Sequence, residues 1–133
     1  MTIKEINQAI GNIDIYLLDQ ILKGRYESSM KVLDAGCGEG RNIMYFMGAG
    51  FDVYGIDQSS DAIRMLKFVA GSTFPDVPKS HFQEGSVEST EFEDEFFDLV
   101  ISSAVLHFAE NTEHFWSMLK EMVRVLKPEG QLF

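Results

Sequence analysis

The sequence predicts an α/β protein with an open, doubly wound, mostly parallel sheet and helices on both faces. Short apolar runs typical of buried strands alternate with longer amphipathic stretches typical of helices. Three alternate glycines, Gly36, Gly38 and Gly40, follow the first such run and lead into a helical pattern. In open α/β sheets, a strand, a glycine turn and a helix N-terminus in that order form a nucleotide-binding site.

Composition bounds the class of protein. A chain of 133 residues with 45% hydrophobic residues makes one globular domain at most. No apolar run approaches the ~20 residues that span a bilayer, and the N-terminus lacks signal-peptide features. The single cysteine, Cys37, gives no disulfide framework, which favours a cytoplasmic location. A net charge of −10 argues against nucleic-acid binding, and no metal-ligand spacing occurs.

Residues 1–29 are predicted to form N-terminal helices. Thr2 and Glu5 have the spacing of a capping box, and apolar residues recur at helical intervals up to Ile10. A second helix is expected from about Ile13 to Leu22, with Gly24 as its C-terminal cap.

Residues 30–133 are predicted to form four strand–helix units and an interrupted fifth strand. The expected strands are Lys31–Leu33, Phe51–Asp57, Ser80–Gln83, Phe97–Ser102 and a last one from Gln131. Helices are expected from Arg41 to about Gly48, from Asp61 to Ala70 and from Asn111 or Thr112 to Leu126, followed by a tight turn at 127–130. Right-handed crossovers and a switch beside the first strand give the strand order 3-2-1-4-5.

The glycine motif distinguishes between two kinds of ligand. A dinucleotide site requires G-x-G-x-x-G, but Arg41 stands in the third glycine place, and Asp34 precedes Gly36 by two residues. A carboxylate there suits a cationic ligand and would repel a pyrophosphate. The alternative is a glycine turn that only packs a helix on the sheet.

An acid at the end of the second predicted strand supports a ribose-bearing cofactor. Asp57 lies 23 residues beyond Asp34, near the ~20-residue offset at which such an acid holds ribose hydroxyls. Its carboxylate offers paired acceptors to vicinal hydroxyls. The alternative role is an N-cap for the next helix, although Ser59 and Ser60 could supply that cap.

With these motifs, residues 30–133 resemble the class I (Rossmann-like) S-adenosylmethionine-dependent methyltransferases, most closely those that act on small molecules. The resemblance implies S-adenosyl-L-methionine as cofactor and N-terminal helices that cover it. Ser86 stands where the family commonly has Asp. The cofactor-binding residues that the resemblance implies are Asp34, Ala35, Gly36, Cys37, Gly38, Gly40, Asp57, Gln58, Ser86, Val87, Ser102 and Ser103.

The resemblance also implies methyl transfer to an oxygen, nitrogen or carbon nucleophile. His107 follows the fourth strand and is the candidate general base; the alternative is a structural histidine beneath the cofactor. No Asn/Asp-Pro-Pro-aromatic signature of base methylation follows that strand, so a small-molecule acceptor is expected. The alternative functions are a non-catalytic S-adenosylmethionine-binding module, or a fragment that lacks its acceptor half, and a nicotinamide-dependent oxidoreductase.

The family pattern continues beyond a fifth strand, and the sequence ends within that strand at Phe133. The resemblance therefore implies that the C-terminal strands of the domain are missing. An uncovered apolar strand at a sheet edge can pair with another chain, so a homodimer through that edge is expected.

Overall fold

The computed structural model describes all residues from Met1 to Phe133. The helices are α1 (Ile3–Ile10), α2 (Ile15–Leu22), α3 (Met44–Gly48), α4 (Ser60–Thr73) and α5 (Thr112–Val125). The strands are β1 (Lys31–Ala35), β2 (Asp52–Asp57), β3 (Phe82–Glu84), β4 (Phe97–Ile101) and β5 (Leu126–Leu132). None of the helices combines the length and apolarity that crossing a bilayer requires.

The five strands form one parallel sheet in the order β3-β2-β1-β4-β5, which confirms the predicted topology. Two apolar clusters cover its faces. Residues of α2, α3 and α4 join one cluster, and residues of α5 join the other. The strand order reverses beside β1: β2 and β3 follow on one side of it, and β4 and β5 follow on the other. The carboxyl end of β1 therefore opens onto a crevice between two loops.

Side-chain caps explain where four of the helices begin. The predicted capping box is present, since the Thr2 N–H donates to the Glu5 carboxylate at 2.7 Å and the Glu5 N–H donates to the Thr2 hydroxyl at 3.2 Å. Asp14, Ser59 and Asn111 cap α2, α4 and α5. The helix predicted from Arg41 begins only at Met44, because residues 41–43 form turns without a side-chain cap.

Two further predicted boundaries were also wrong. Ser80 and His81 lie in a 3₁₀ turn (Lys79–His81) that precedes β3, not in the strand. The His81 ring stacks on Tyr54 at 3.8 Å, and its Nδ1 lies 3.1 Å from the carbonyl oxygen of Val53, so a tertiary contact holds the turn. The turn predicted at 127–130 instead lies inside β5, where the pairing with β4 shifts register.

One arginine ties the acidic stretch before β4 to α5. The Arg124 guanidinium donates to Glu121, to Asp94 at 2.6 Å and to the carbonyl oxygen of Phe92 at 2.9 Å. Thr90 donates from its backbone N–H and its hydroxyl to the same Glu121 carboxylate. These bonds join the loop before β4 to the helix after it.

Candidate cofactor site

The glycine loop after β1 bends across the end of β2. Gly36, Gly38 and Gly40 have φ angles of 81°, 54° and 91°, in the left-handed region that glycine adopts without strain. The N–H groups of Gly36 and Cys37 both donate to the carbonyl oxygen of Ile56, at 2.8 and 3.0 Å. A Cβ on Gly38 would meet no atom within 4 Å, so the backbone there faces open space that a ligand can enter.

Asp57 lies at the end of β2, directly beside this loop. Its Oδ2 accepts from the Gly38 N–H at 2.9 Å, and its Oδ1 accepts from the Ser59 N–H at 2.8 Å. The N-cap of α4 is Ser59, whose hydroxyl accepts from Ala62. The alternative role of Asp57 as that cap is therefore wrong. Each carboxylate oxygen keeps a lone pair that a ligand hydroxyl can use.

Asp34 is a buried carboxyl group without a side-chain hydrogen bond. The residue is only 2% exposed. Burial, together with the nearby charge of Asp57, raises the pKa of Asp34 to about 7, although the Arg41 guanidinium acts in the opposite direction. An ionised carboxylate in such a place is costly unless a cation lies beside it. The site thus favours a ligand that brings positive charge.

Two cavities meet at Gly36 and Ala104. The first, of about 430 Å³, carries Asp57 and Gln58 on one wall and Val87, Phe108, His114 and Met118 on others. The second, of about 610 Å³, lies between the glycine loop, the N-terminal segment and the loop after β4. Its polar lining residues are Asn12, Glu39, Arg41, Asn42 and Ser103. Together the two cavities form a cleft across the carboxyl edge of the sheet.

Most of the predicted cofactor-binding residues lie around this cleft. Those that line one of the two cavities are Gly36, Cys37, Gly38, Asp57, Gln58, Val87 and Ser103. Ala35 ends β1 as a buried residue, and burial raises the pKa of the Cys37 thiol, which suits a packed side chain rather than a nucleophile. Gly40 is fixed by packing, since a Cβ there would lie 2.5 Å from Leu66.

The other predicted residues, Asp34 among them, line neither cavity. Ser86 is half-buried beside Val87 but lines neither cavity. The Ser102 hydroxyl is buried and has no partner. His107 lies exposed in a 3₁₀ turn (Leu106–Phe108), with its ring 4.1 Å from that of Phe108, and it also lines neither cavity.

His114 lines the first cavity and was not anticipated. Its Nδ1 accepts from the Glu110 N–H at 3.0 Å, so Nε2 carries the proton and faces Glu88 at 3.4 Å. The topology could have indicated it, because a helix that follows a parallel strand begins at the carboxyl edge of the sheet. His114 lies in the first turn of α5, the helix that follows β4.

A parallel 3-2-1-4-5 sheet, an acid near the end of β1 before a glycine loop, and a second acid at the end of β2 match the arrangement of the class I S-adenosylmethionine-dependent methyltransferases. The family model described as "Methyltransferase domain" matches residues 33–133. The chain therefore belongs to this methyltransferase family. The membership agrees with Arg41 in the third glycine place and leaves the nicotinamide alternative without support.

Individual relatives agree with the family. An uncharacterized methyltransferase of Synechocystis is 34% identical over 100 residues, which cover 75% of this chain and 43% of that protein. A mitochondrial ubiquinone biosynthesis O-methyltransferase of Rattus norvegicus is 32% identical over 128 residues, 89% of this chain and 36% of the relative. The chain thus spans less than half the length of either protein.

Solved structures confirm the fold. A protein from Pyrococcus horikoshii has a TM-score of 0.74 and 34% identity, with 89% of this chain and 54% of that chain covered. A SAM-dependent methyltransferase from Methanosarcina mazei has a TM-score of 0.74 and 30% identity, with coverages of 84% and 54%.

Proposed function

We propose that this chain binds S-adenosyl-L-methionine and, in the protein to which it belongs, transfers the methyl group to a small-molecule acceptor. The observation that carries the proposal is Asp34, a buried carboxyl without a hydrogen bond at the carboxyl edge of the sheet. A cationic cofactor would supply the missing partner. A nicotinamide dinucleotide would bring a pyrophosphate to the same acid.

The residues around the cleft fit the three parts of this cofactor. Asp34 suits the cationic amino acid end, and the free lone pairs of Asp57 suit the ribose hydroxyls. Val87, Phe108 and Met118 offer an apolar slot for the adenine ring. When bound, S-adenosylmethionine supplies a methyl group that its sulfonium already activates. The protein then has to hold the acceptor in line and to exclude water.

His107 remains a candidate general base, a role that matters only if the acceptor enters protonated. Its exposed ring supports access from solvent, but no hydrogen bond aims it at the cleft. His107→Ala should lower kcat without changing cofactor affinity if the ring takes the acceptor's proton. An unchanged kcat with the natural acceptor would contradict that role.

A small acceptor is supported by charge and by the relatives. With a net charge of −10, the chain would repel a nucleic-acid backbone. The named relatives include ubiquinone biosynthesis O-methyltransferases and an arsenite methyltransferase. Salt-sensitive binding of RNA or DNA to the chain would contradict this choice.

Three further proposals concern the setting of the site. The N-terminal helices cover the cofactor, as supported by Asn12 in the lining of the second cavity. The single buried Cys37 suits a reducing cytoplasm. A homodimer could form through the β5 edge of the sheet. Light scattering tests the dimer, and protection of residues 1–29 from proteolysis by added cofactor tests the cover.

Calorimetric titration with S-adenosylmethionine, its demethylated product and NAD tests the proposed cofactor. We expect binding of the first two and none of NAD. Measurable NAD affinity with no affinity for the sulfonium compound would overturn the proposal. Binding without turnover of any acceptor would favour the alternative of a non-catalytic binding module.

A further inference from the structure

Three segments that are distant in sequence meet at Asp14, beside the second cavity. The Ser103 hydroxyl donates to Asp14 Oδ2 at 2.9 Å, and the Asp14 N–H donates to Asn42 Oδ1 at 2.8 Å. Arg41 donates to the carbonyl oxygen of Asn12 at 3.0 Å. We propose that Asp14 and Ser103 form a latch that holds the N-terminal segment across the cleft and so slows cofactor release. This proposal depends on the proposed function only in taking the released ligand to be S-adenosylmethionine or its demethylated product.

The two oxygens of the Asp14 carboxylate have separate tasks. Oδ1 accepts from the N–H groups of Tyr16 and Leu17, at 2.9 and 3.2 Å, and so caps α2. Oδ2 makes no bond within the helix and accepts only from Ser103. A hydroxyl or an amide would be enough for the cap. The second oxygen is therefore the part of Asp14 that serves the latch.

The latch lies at the boundary between a docked and an exposed part of the segment. Ile13 and Leu17, on either side of Asp14, are buried in the core. α1 has no buried residue, and the intervening Gly11 is exposed with a φ of 69°. The fixed points nearest the exposed helix are thus Asn12, Ile13 and Asp14.

The electrostatics favour a charged Asp14 at this point. Burial raises the pKa of Asp14, but the hydrogen bonds from Ser103, Leu17 and Tyr16 and the charge of Arg41 together bring it below its ordinary value. The carboxylate is therefore ionised at neutral pH, and its bond to the Ser103 hydroxyl is charge-assisted. Because that hydroxyl donates its proton to Asp14, the latch assigns Ser103 a positioning role instead of the predicted role of cofactor ligand.

The cleft explains why the latch should act on release. Asn12, Arg41, Asn42 and Ser103 all line the second cavity. Asn42 and Arg41, in the loop after β1, bond to Asp14 and Asn12 of the N-terminal segment. Ser103, in the loop after β4, donates to Asp14 and accepts from Arg41 at 3.5 Å, so these bonds span the mouth between the two loops. Opening the Asp14–Ser103 bond frees the segment from the loop after β4, and a bound ligand then has a wider exit.

Two single variants and their double variant test the latch. Ser103→Ala removes the donor and leaves the cap of α2 intact, while Asp14→Ser keeps a capping oxygen and cannot replace Oδ2. We expect each to speed S-adenosylhomocysteine dissociation about tenfold, as for one hydrogen bond to a charged group, with no slower association. The double variant should be no faster than either single one. Asp19→Asn, which removes a surface ion pair on the same helix, is the matched control.

Hydrogen exchange in the ligand-free protein separates the latch from the proposed function. In both variants the backbone amide hydrogens of residues 3–22 should exchange faster than in the parent protein, while exchange elsewhere and the midpoint of global unfolding stay unchanged. If S-adenosylhomocysteine associated more slowly with Ser103→Ala but normally with Asp14→Ser, Ser103 would be a cofactor ligand and the latch would be refuted. Additive effects, or exchange identical to that of the parent protein, would also refute it. If the parent binds no S-adenosylhomocysteine, the proposed function fails and the exchange data still decide whether the latch exists.

Discussion

Replacing Asp34 by Asn should stabilise the ligand-free protein and weaken its cofactor binding. The pKa of this carboxyl is raised from 3.8 to about 7. A raised pKa means that the folded state holds a proton that the unfolded chain has already released, so the stability falls as pH rises from about 4 to about 7. Above pH 7 the loss is constant, and the shift corresponds to about 4 kcal/mol.

The amide of Asn cannot ionise, and it resembles the protonated carboxyl in size and polarity. The stability difference between Asp34→Asn and the parent protein should therefore be small at pH 4 and grow to about 2–4 kcal/mol at pH 8. Urea denaturation of both ligand-free proteins at several pH values measures it. A difference that does not change with pH, or a less stable variant at pH 8, would refute the reasoning.

Asp57→Asn is the matched control at the same edge of the sheet. Asp57 accepts hydrogen bonds from the N–H groups of Gly38 and Ser59, so its charge is already stabilised. Asp57→Asn should be about 1–3 kcal/mol less stable than the parent protein, whereas Asp34→Asn should be more stable at pH 8. Both variants should bind S-adenosylmethionine at least about tenfold more weakly, since each removes a charge-assisted contact. Calorimetry then separates the common loss of binding from the opposite changes in stability.

Three further predictions follow from the same geometry. Cofactor binding near pH 7 should release a proton from Asp34, because a bound cation lowers its raised pKa, and affinity should fall at lower pH; calorimetry in buffers of different ionisation enthalpy measures this, with Asp34→Asn as the control. Gly38→Ala should cost roughly 1–2 kcal/mol in urea denaturation from its left-handed φ alone, while Gly36→Ala should cost more, because its Cβ would lie 2.5 Å from Val105; equal costs would contradict this. Arg124→Lys should lose about 1–3 kcal/mol of stability with its forked hydrogen bonds, whereas the exposed Arg64→Lys should change stability by less than about 0.5 kcal/mol.

The strand order was predictable because local patterns and chain handedness determine it. The glycine loop marked the switch point after β1, and right-handed crossovers left one order for the following strands. The boundaries that failed depend on tertiary contacts. His81 turns out of the strand to stack on Tyr54, and Pro128 lies in a stretch of β5 where the pairing with β4 shifts. Neither the stacking of His81 on Tyr54 nor the pairing of β5 with β4 can be predicted from the residues that flank His81 or Pro128 in the sequence.

The positions of the two acids could also be predicted from local sequence patterns. Asp34 and Asp57 follow from their places at the ends of consecutive parallel strands. The contacts of Asp14 with Asn42 and Ser103 could not be, since the partners lie 28 and 89 positions away and no periodicity relates them. Ser103 was predicted to bind the cofactor, and that role stays a prediction; the structure places it at the cleft and identifies Asp14 as the partner of its hydroxyl.

The two acids also differ in what they cost the protein without a ligand. Asp57 is solvated by backbone N–H groups, so the fold tolerates its charge. Asp34 has no such donors, so its ionised form should lower stability at neutral pH. An uncharged residue at this position would favour stability alone, and a buried acid that opposes folding is typical of a binding site. A cation that binds Asp34 would recover part of that loss, so ligand binding and folding stability should be coupled through this one side chain.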